Sequence, residues 1–154
     1  MLVRYYQPRD IPQIVRLFFD TIHTVNCRDY TPEQIAAWAP KIPDETQWVK
    51  RYESRIVFVA DDHSTIAGFA ELEPNGHIDC FYCHHAYQRR GVGKMLLNRI
   101  EQEARSLNIT RLFVEASITA KPFFEHLEFC NLGENQVFRN GVILINYRME
   151  KHLS

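Results

Sequence analysis

The stretch that decides the fold reads Gln88-Arg89-Arg90-Gly91-Val92-Gly93-Lys94, and it lies between a predicted strand and a predicted long helix. A helix N-terminus has unpaired N–H groups and the positive end of the helix dipole, so it attracts anions. The two glycines let the backbone approach a phosphate without a Cβ clash. Three basic side chains add positive charge at the same place. We therefore predict that this loop binds a pyrophosphate group.

Two other phosphate-binding motifs fit this loop less well. A dinucleotide-binding turn, G-x-G-x-x-G, requires a third glycine at the position that Leu96 occupies. A P-loop requires Ser or Thr directly after its lysine, but Met95 follows Lys94. The plain structural alternative is a glycine-rich turn that only begins a core helix.

The period of the apolar residues predicts strands and helices on both sides of the loop. A short strand at 2–6 comes first and three helices follow it, the second starting at Thr31 with Gln34 as its capping-box partner. The later elements are strands at 56–60, 65–73 and 77–83, a helix at 91–107, a strand at 111–115, a helix at 119–127, and strands at 129–138 and 142–149. We expect one α/β domain over residues 1–154 with a mixed sheet.

The composition is that of an ordinary globular protein. Of the 154 residues, 45% are hydrophobic and 24% are charged, which argues against disorder. Lys plus Arg number 18 and Asp plus Glu number 19, so the basic excess typical of nucleic-acid partners is absent. No apolar run approaches the ~20 residues that span a bilayer, and no signal-peptide pattern opens the sequence. We expect a cytoplasmic protein with no nucleic-acid or membrane partner.

A C-x-x-C pair at Cys80 and Cys83 raises the question of a metal or redox site. Both cysteines fall in a predicted strand, where residues three apart point to opposite faces. The sequence has no second C-x-x-C or H-x-x-x-H to complete four ligands. We predict no metal.

Three parts of the sequence resemble the GCN5-related N-acetyltransferase (GNAT) superfamily. The pattern Gln88-x-x-Gly91-x-Gly93 resembles that family's acetyl-CoA pyrophosphate loop. Residues 81–87 resemble the strand and turn before it, with Cys83 and His85 where valine and proline are usual. Residues 120–129 resemble the family's A-x-x-F-Y-E-x-x-G-F segment. The runs at 29–39 and 116–124 are similar to a YafP-like bacterial branch of the family.

The resemblance implies a GNAT fold, with a mixed, mostly antiparallel central sheet of six to seven strands and about four to five flanking helices. It implies transfer of an acetyl group from acetyl-CoA, as cosubstrate, to a primary amine of a small-molecule or peptide acceptor. A homodimer is a further option. The residues that it places at the cofactor are Phe81, Tyr82, Cys83, Gln88, Arg89, Arg90, Gly91, Val92, Gly93, Lys94, Ser117 and Phe124.

Three side chains are candidates for proton transfer, because an alkylammonium of pKa about 10 must lose a proton before it attacks. Asp79 is a carboxylate inside an otherwise apolar strand, and simple alternation places it on the face of Phe81. His77 shares that face, and its ordinary pKa of about 6.5 suits proton transfer. Glu71 lies on the neighbouring predicted strand. The alternative for each is a solvated or salt-bridged strand residue.

The general acid is the point where the sequence departs from the family. Relatives commonly use a tyrosine to protonate the leaving thiolate, and Phe124 stands there. The thiolate could leave unprotonated, another hydroxyl could serve (Tyr82, Tyr147, Ser117 or Thr119), or the enzyme could be slow. A non-catalytic acyl-CoA-binding or sensor domain is the alternative function.

The acceptor side is less defined. In the family, the two helices after the first strand form one wall of the acceptor pocket, which here makes Tyr30 and Trp38 the candidate substrate contacts. Core packing is the alternative for the tryptophan. A small amine, an aminoglycoside-like compound, an amino acid derivative and a peptide N-terminus all remain open as acceptors.

Overall fold

The computed structural model describes all 154 residues, and its seven strands form one sheet in the order β1-β2-β3-β4-β5-β7-β6. Only β4 and β5 are parallel; every other neighbouring pair is antiparallel. The elements are β1 (Leu2–Tyr5), α1 (Ile11–Thr24), α2 (Pro32–Trp38), α3 (Glu45–Arg51), β2 (Ile56–Asp62), β3 (Thr65–Leu72), β4 (His77–Cys83), α4 (Val92–Ser106), β5 (Arg111–Ser117), α5 (Lys121–His126), β6 (Cys130–Arg139) and β7 (Val142–His152). The predicted α/β class, element order and mixed sheet are confirmed.

Local sequence signals explain where the helices of the N-terminal half begin. Thr31 Oγ1 accepts the backbone N–H of Gln34 at 3.1 Å, and Gln34 Oε1 accepts that of Thr31 at 2.9 Å, so the predicted capping box is confirmed. Asp44 Oδ1 accepts the N–H of Gln47 at 3.0 Å and starts α3 in the same way. No helix of the structure is long and apolar enough to span a membrane.

Helices cover both faces of the sheet. The larger core lies between α4 and strands β2–β5, with Phe58, Leu72, Ile78 and Leu96 fully buried in it. A second core joins α1 and α3 to the opposite face. The absence of a side chain at Gly68 allows close packing of α4, since a Cβ there would lie 2.9 Å from Val92 Cγ1. Each fully buried apolar side chain of this kind stabilises the fold by roughly 1.5–3 kcal/mol.

The centre of the sheet splits between β4 and β5. The two parallel strands pair only at His77 with Phe113 and at Ile78 with Val114. No register pair continues toward the carboxyl ends of the strands, so one edge of β4 faces an open gap. Unpaired backbone groups on that edge can accept another extended chain.

A β-bulge changes which residues of β4 face each side. Phe81 pairs with Ala70 but Ile78 pairs with Leu72, so β4 carries one extra residue opposite Glu71. Ile78 and Phe81 consequently pack on the α4 side, whereas Asp79 contacts groups on the α3 side. The expectation that Asp79 and His77 share a face with Phe81 is therefore wrong. The bulge depends on pairing between strands, which alternation along one strand does not report.

Candidate active site

A cavity of about 1000 Å³ opens at the split between β4 and β5. Its walls come from α1, α2, α3, the loop before α4, α5 and the ends of β5, β6 and β7. Of the predicted site residues, only Arg90 and Glu71 lie outside its lining. The predicted residues that line it are His77, Asp79, Phe81, Tyr82, Cys83, Gln88, Arg89, Gly91, Val92, Gly93, Lys94, Ser117, Phe124, Tyr30 and Trp38.

The loop before α4 turns its backbone amides outward. Arg89 and Gly91 both have left-handed backbone angles, with φ of 60° and 81°. The carbonyl of Gly91 accepts the N–H of Met95 at 3.1 Å, so the amides of 92–94 precede the hydrogen-bond ladder of α4. A Cβ at Gly91 would meet nothing within 4 Å, so the backbone angle is what favours glycine there. The arrangement provides an anion site with basic side chains beside it.

Gly93 has a different role. A Cβ there would lie 2.8 Å from Cε1 of Phe123, so this glycine lets the first turn of α4 pack against α5. Phe123 in turn packs against Phe81, with ring centroids 5.5 Å apart. The motif therefore also joins the loop to the wall of the cavity.

The end of β4 is held by side chains from two directions. Gln88 Nε2 donates to the carbonyl of Cys83 at 2.8 Å, and Thr21 Oγ1 donates to the same oxygen at 3.0 Å. These bonds fix the loop and α1 relative to the open edge of β4. Burial raises the pKa of the Cys83 thiol to about 12, so this cysteine is a neutral wall residue at physiological pH. Cys80 lies in the core on the other face of the strand.

The candidates for a general acid differ in their surroundings. Phe124 is 1% exposed and packs edge-on against Phe81, with centroids 5.4 Å apart. Burial raises the pKa of Tyr82 well above its ordinary value. The hydroxyl of Thr119 is committed, since it donates to Asp29 at 2.7 Å. Tyr147 does not line the cavity.

Ser117 lies at the cavity with an uncommitted hydroxyl proton. Its Oγ accepts the backbone N–H of Ala120 at 3.0 Å and the side-chain amide of Asn26 at 3.3 Å. Both contacts use the oxygen as an acceptor. The hydroxyl can therefore still donate one hydrogen bond into the cavity.

Glu71 is fully buried beside the bulge, and its contacts are all within the protein. Its Oε1 accepts from Arg51 Nη2 and Arg55 Nη1, both at 2.8 Å, and its Oε2 accepts from the Tyr52 hydroxyl at 2.7 Å. The carboxylate has 0% exposure and no opening to the cavity. Its contacts hold the side chains of two arginines in place.

Asp79 lines the cavity but is ion-paired. Its Oδ2 accepts from Arg51 Nη2 at 2.8 Å and from Arg55 Nη1. Burial opposes the charged form, yet the hydrogen bond from Arg55 and the charges of both arginines hold the pKa of Asp79 below its usual value. A carboxylate of this kind stays ionised and is a weak proton acceptor.

His77 connects two glutamates across the split. Its Nε2 lies 2.8 Å from Glu115 Oε2, and its Nδ1 lies 2.9 Å from Glu73 Oε1. The ring stacks on Phe113 with centroids 4.9 Å apart. The hydrogen bond to Glu115 outweighs burial and raises the pKa of His77 to about 9, so the ring is an imidazolium at neutral pH.

Glu115 is a functional candidate that the sequence reasoning missed. Its side chain is 39% exposed and lines the cavity, and its Oε1 has no hydrogen-bond partner. The signal that could have found it is the period of β5. Leu112, Val114 and Ala116 are buried toward α4, so Glu115 lies with Ser117 on the opposite face.

Tyr30 is held more firmly than a simple substrate contact requires. Its hydroxyl accepts the N–H of Ile118 at 2.9 Å and donates to the carbonyl of Ile145 at 2.6 Å. The ring lies edge-on to Trp38 with centroids 5.3 Å apart. The hydroxyl thus ties the α2 side to the ends of β5 and β7, while the two rings face the cavity.

Comparisons with known proteins identify the family to which this fold belongs. The family model described as "Acetyltransferase (GNAT) domain" matches residues 26–151, so the chain belongs to the GNAT family. The protein is therefore an N-acetyltransferase that uses acetyl-CoA.

Two relatives show where in this family the chain belongs. The chain is 33% identical over 147 residues to the uncharacterized N-acetyltransferase YafP of Escherichia coli K12, covering 96% of this chain and 93% of that protein. A crystal structure of a GCN5-related N-acetyltransferase from Rhodopseudomonas palustris superposes with a TM-score of 0.93, at 32% identity over 99% of this chain and 95% of that one. The predicted superfamily and YafP-like branch are confirmed.

A more distant structure shares the fold and contains the cosubstrate. It is yncA, a putative acetyltransferase from Salmonella typhimurium solved with acetyl-CoA, with a TM-score of 0.78 and 17% identity. The match covers 100% of this chain and 94% of that one.

Proposed function

We propose that the protein transfers an acetyl group from acetyl-CoA to a primary amine of a small-molecule or peptide acceptor by direct attack. The observation that carries the proposal is the split sheet, which places an anion-binding loop, an open strand edge and a wall of polar and aromatic side chains around one cavity. The amine and the thioester can meet there without a covalent enzyme intermediate. The buried thiol of Cys83 is consistent with this, because its raised pKa makes it a poor nucleophile.

The residues present fit acetyl-CoA. The amides of 89–94, with the side chains of Arg89 and Lys94, would hold the diphosphate. The open edge of β4 at Phe81 and at the N–H of Cys83 would hold the extended pantetheine as an added strand, since Gln88 and Thr21 already occupy the Cys83 carbonyl. Bound in this way, the cosubstrate supplies an activated acyl group.

Glu115 is the proton acceptor that the contacts support best, and His77 and Glu73 hold it in place. Glu115 has a free oxygen toward the cavity, so it can pair with the acceptor ammonium and take up its proton. The His77 imidazolium donates one N–H to Glu115 and the other to Glu73, so it holds Glu115 in place, and Glu115, whose side chain is 39% exposed, can release the proton to solvent. Asp79 and Glu71 hold the two arginines in this proposal. They serve as positioning residues and take up no proton.

The thiolate of coenzyme A can leave without a strong general acid. A thiol has an ordinary pKa of about 8.5, so its thiolate leaves without a strong acid. The free hydroxyl proton of Ser117 can donate a hydrogen bond in the cavity as charge develops. Phe124 then contributes only packing to this wall.

Activity on a panel of primary amines tests the proposal. Purified protein, acetyl-CoA and each amine should release free thiol and give a product heavier by one acetyl group in the mass spectrum. Thermal stabilisation by coenzyme A with no acetylated product from any amine would contradict it. That outcome would instead support the non-catalytic acyl-CoA sensor, which the phenylalanine at position 124 motivates.

A further inference from the structure

Two arginines bind the same two carboxylates beside the cavity. Arg51 Nη2 and Arg55 Nη1 both donate to Oε1 of Glu71 and to Oδ2 of Asp79. Arg55 also reaches Glu73 at 3.6 Å. Two guanidinium groups balance two carboxylates, so the cluster is neutral and holds both arginines in fixed positions.

The two arginines differ in what they face. Arg51 lines the cavity with 29% of its side chain exposed, whereas Arg55 is 18% exposed and is not part of the lining. The guanidinium of Arg51 lies over the ring of Trp48, 5.0 Å from its centroid. Stacking of this kind fixes the plane of the group and leaves its edges free to bind.

One edge of the Arg51 guanidinium has no partner. Its Nε and Nη2 are bonded within the cluster, but Nη1 makes no hydrogen bond to any group of the protein. A guanidinium N–H pair that opens into a cavity binds carboxylate oxygens well, because the hydrogen bonds are charge-assisted.

The acids of the cavity are distributed in a complementary way. Asp79 and Glu115 are the carboxylates in the lining. Asp79 and Glu71 share two arginines, so their cluster is neutral, whereas Glu115 and Glu73 share one imidazolium, that of His77. Glu115 keeps a free oxygen for an ammonium group. Apart from the anion site at the loop before α4, the acceptor side of the cavity thus offers Glu115 to a cation and Arg51 Nη1 to an anion.

We propose that the acceptor is an amino acid or an amino acid derivative with a free carboxylate, which Arg51 Nη1 binds while the amine reacts. This inference deepens the proposed amine acetylation and rests on it. Trp48 stacks on Arg51, and Phe18 packs against both Trp48 and Tyr82, so the cavity wall on this side is aromatic. Aromatic amino acids are consequently suitable first probes.

Matched substrate pairs test the proposal on the unaltered protein. Phenylalanine, tyrosine and tryptophan are each compared with the amine that lacks the carboxylate: phenethylamine, tyramine and tryptamine. The expected result is at least a tenfold higher kcat/KM for the carboxylate-bearing member, with the amino acid amide closer to the plain amine. Equal or reversed values overturn the assignment. Acetylation of no amine at all overturns the proposed function itself.

Paired variants locate the carboxylate site. In Arg51→Met the tenfold preference should disappear, while Arg55→Met should keep it even where stability falls. The ratio of the two substrates within one variant does not depend on the fraction of folded enzyme. Arg51→Lys, which keeps the charge of the cluster, should restore part of the preference. Retention of the preference in Arg51→Met, or its loss only in Arg139→Met at the exposed rim, contradicts the proposal.

Discussion

The two halves of the cavity are built in different ways. The half expected to bind the cosubstrate comes from one continuous run, residues 81–94, whose local conformation places its own amides. The acceptor half is assembled from α1, α2, α3 and β5–β7, and its charged groups are set by contacts between residues distant in sequence. The cosubstrate half can therefore be predicted from a sequence motif, whereas the acceptor half can be recognised only in the folded structure.

The largest expected effect falls on the loop. Gly91→Trp should weaken coenzyme A binding by more than about 100-fold, since a large side chain at the anion site blocks the amides and strains a backbone with φ of 81°. Isothermal titration calorimetry measures the change. Gly141→Trp is the matched control, because Gly141 has φ of 80° and equally open surroundings in the β6–β7 turn. Equal affinity in the two variants would remove the loop from the site.

The next effect belongs to the acceptor half. Glu115→Gln should lower kcat by about 100-fold or more and leave the KM for acetyl-CoA nearly unchanged, since general-base assistance is typically worth 10²–10⁴. Steady-state kinetics at saturating acetyl-CoA give the value. Glu128→Gln, at a carboxylate that is 86% exposed, is the control. Normal turnover in Glu115→Gln would exclude this residue as the proton acceptor.

The stability of the protein should depend on pH through His77. Its pKa is raised from 6.5 to about 9, so its contribution is fully present below pH 6.5 and is lost as pH rises through about 9. Against His77→Gln, the wild-type protein should lose roughly 1–3 kcal/mol of unfolding free energy over that window. Urea titrations at several pH values measure it, with His152→Gln, an exposed histidine, as control. A difference in unfolding free energy between the wild type and His77→Gln that does not vary with pH would contradict the pairing of protonated His77 with the two glutamates.

The smallest effect is expected at position 124. Phe124→Tyr should change kcat by less than about threefold, and it should cost roughly 1–3 kcal/mol of stability if the buried hydroxyl finds no partner. Thermal unfolding and initial rates on the same preparation give both numbers. A large gain in kcat would show that the missing tyrosine limits the reaction, contrary to the account of the leaving group above.

The sequence predicted what depends on local pattern. Motifs and periodicity predicted the order of strands and helices, the capping box at Thr31 and the family. The bulge opposite Glu71 could not be read in this way, because it arises from pairing between β3 and β4. The bulge places Asp79 on the opposite face of the sheet from the one that simple alternation predicts.

The parts of the acceptor half that the sequence did not predict also depend on contacts between residues distant in sequence. Arg51 lies in a helix whose sequence marks it only as a basic residue of the last turn, and the structure brings it to Glu71 and Asp79 across the sheet. Glu115 meets His77 because β5 runs parallel to β4 at that point. Neither pairing has a signature along the chain.

A crystal structure with coenzyme A bound tests the central claim most directly. We expect the diphosphate oxygens within hydrogen-bond distance of the amides of residues 89–94, the pantetheine along the open edge of β4, and the sulfur at the split from β5. Diphosphate bound elsewhere, or a pantetheine that avoids β4, would contradict it.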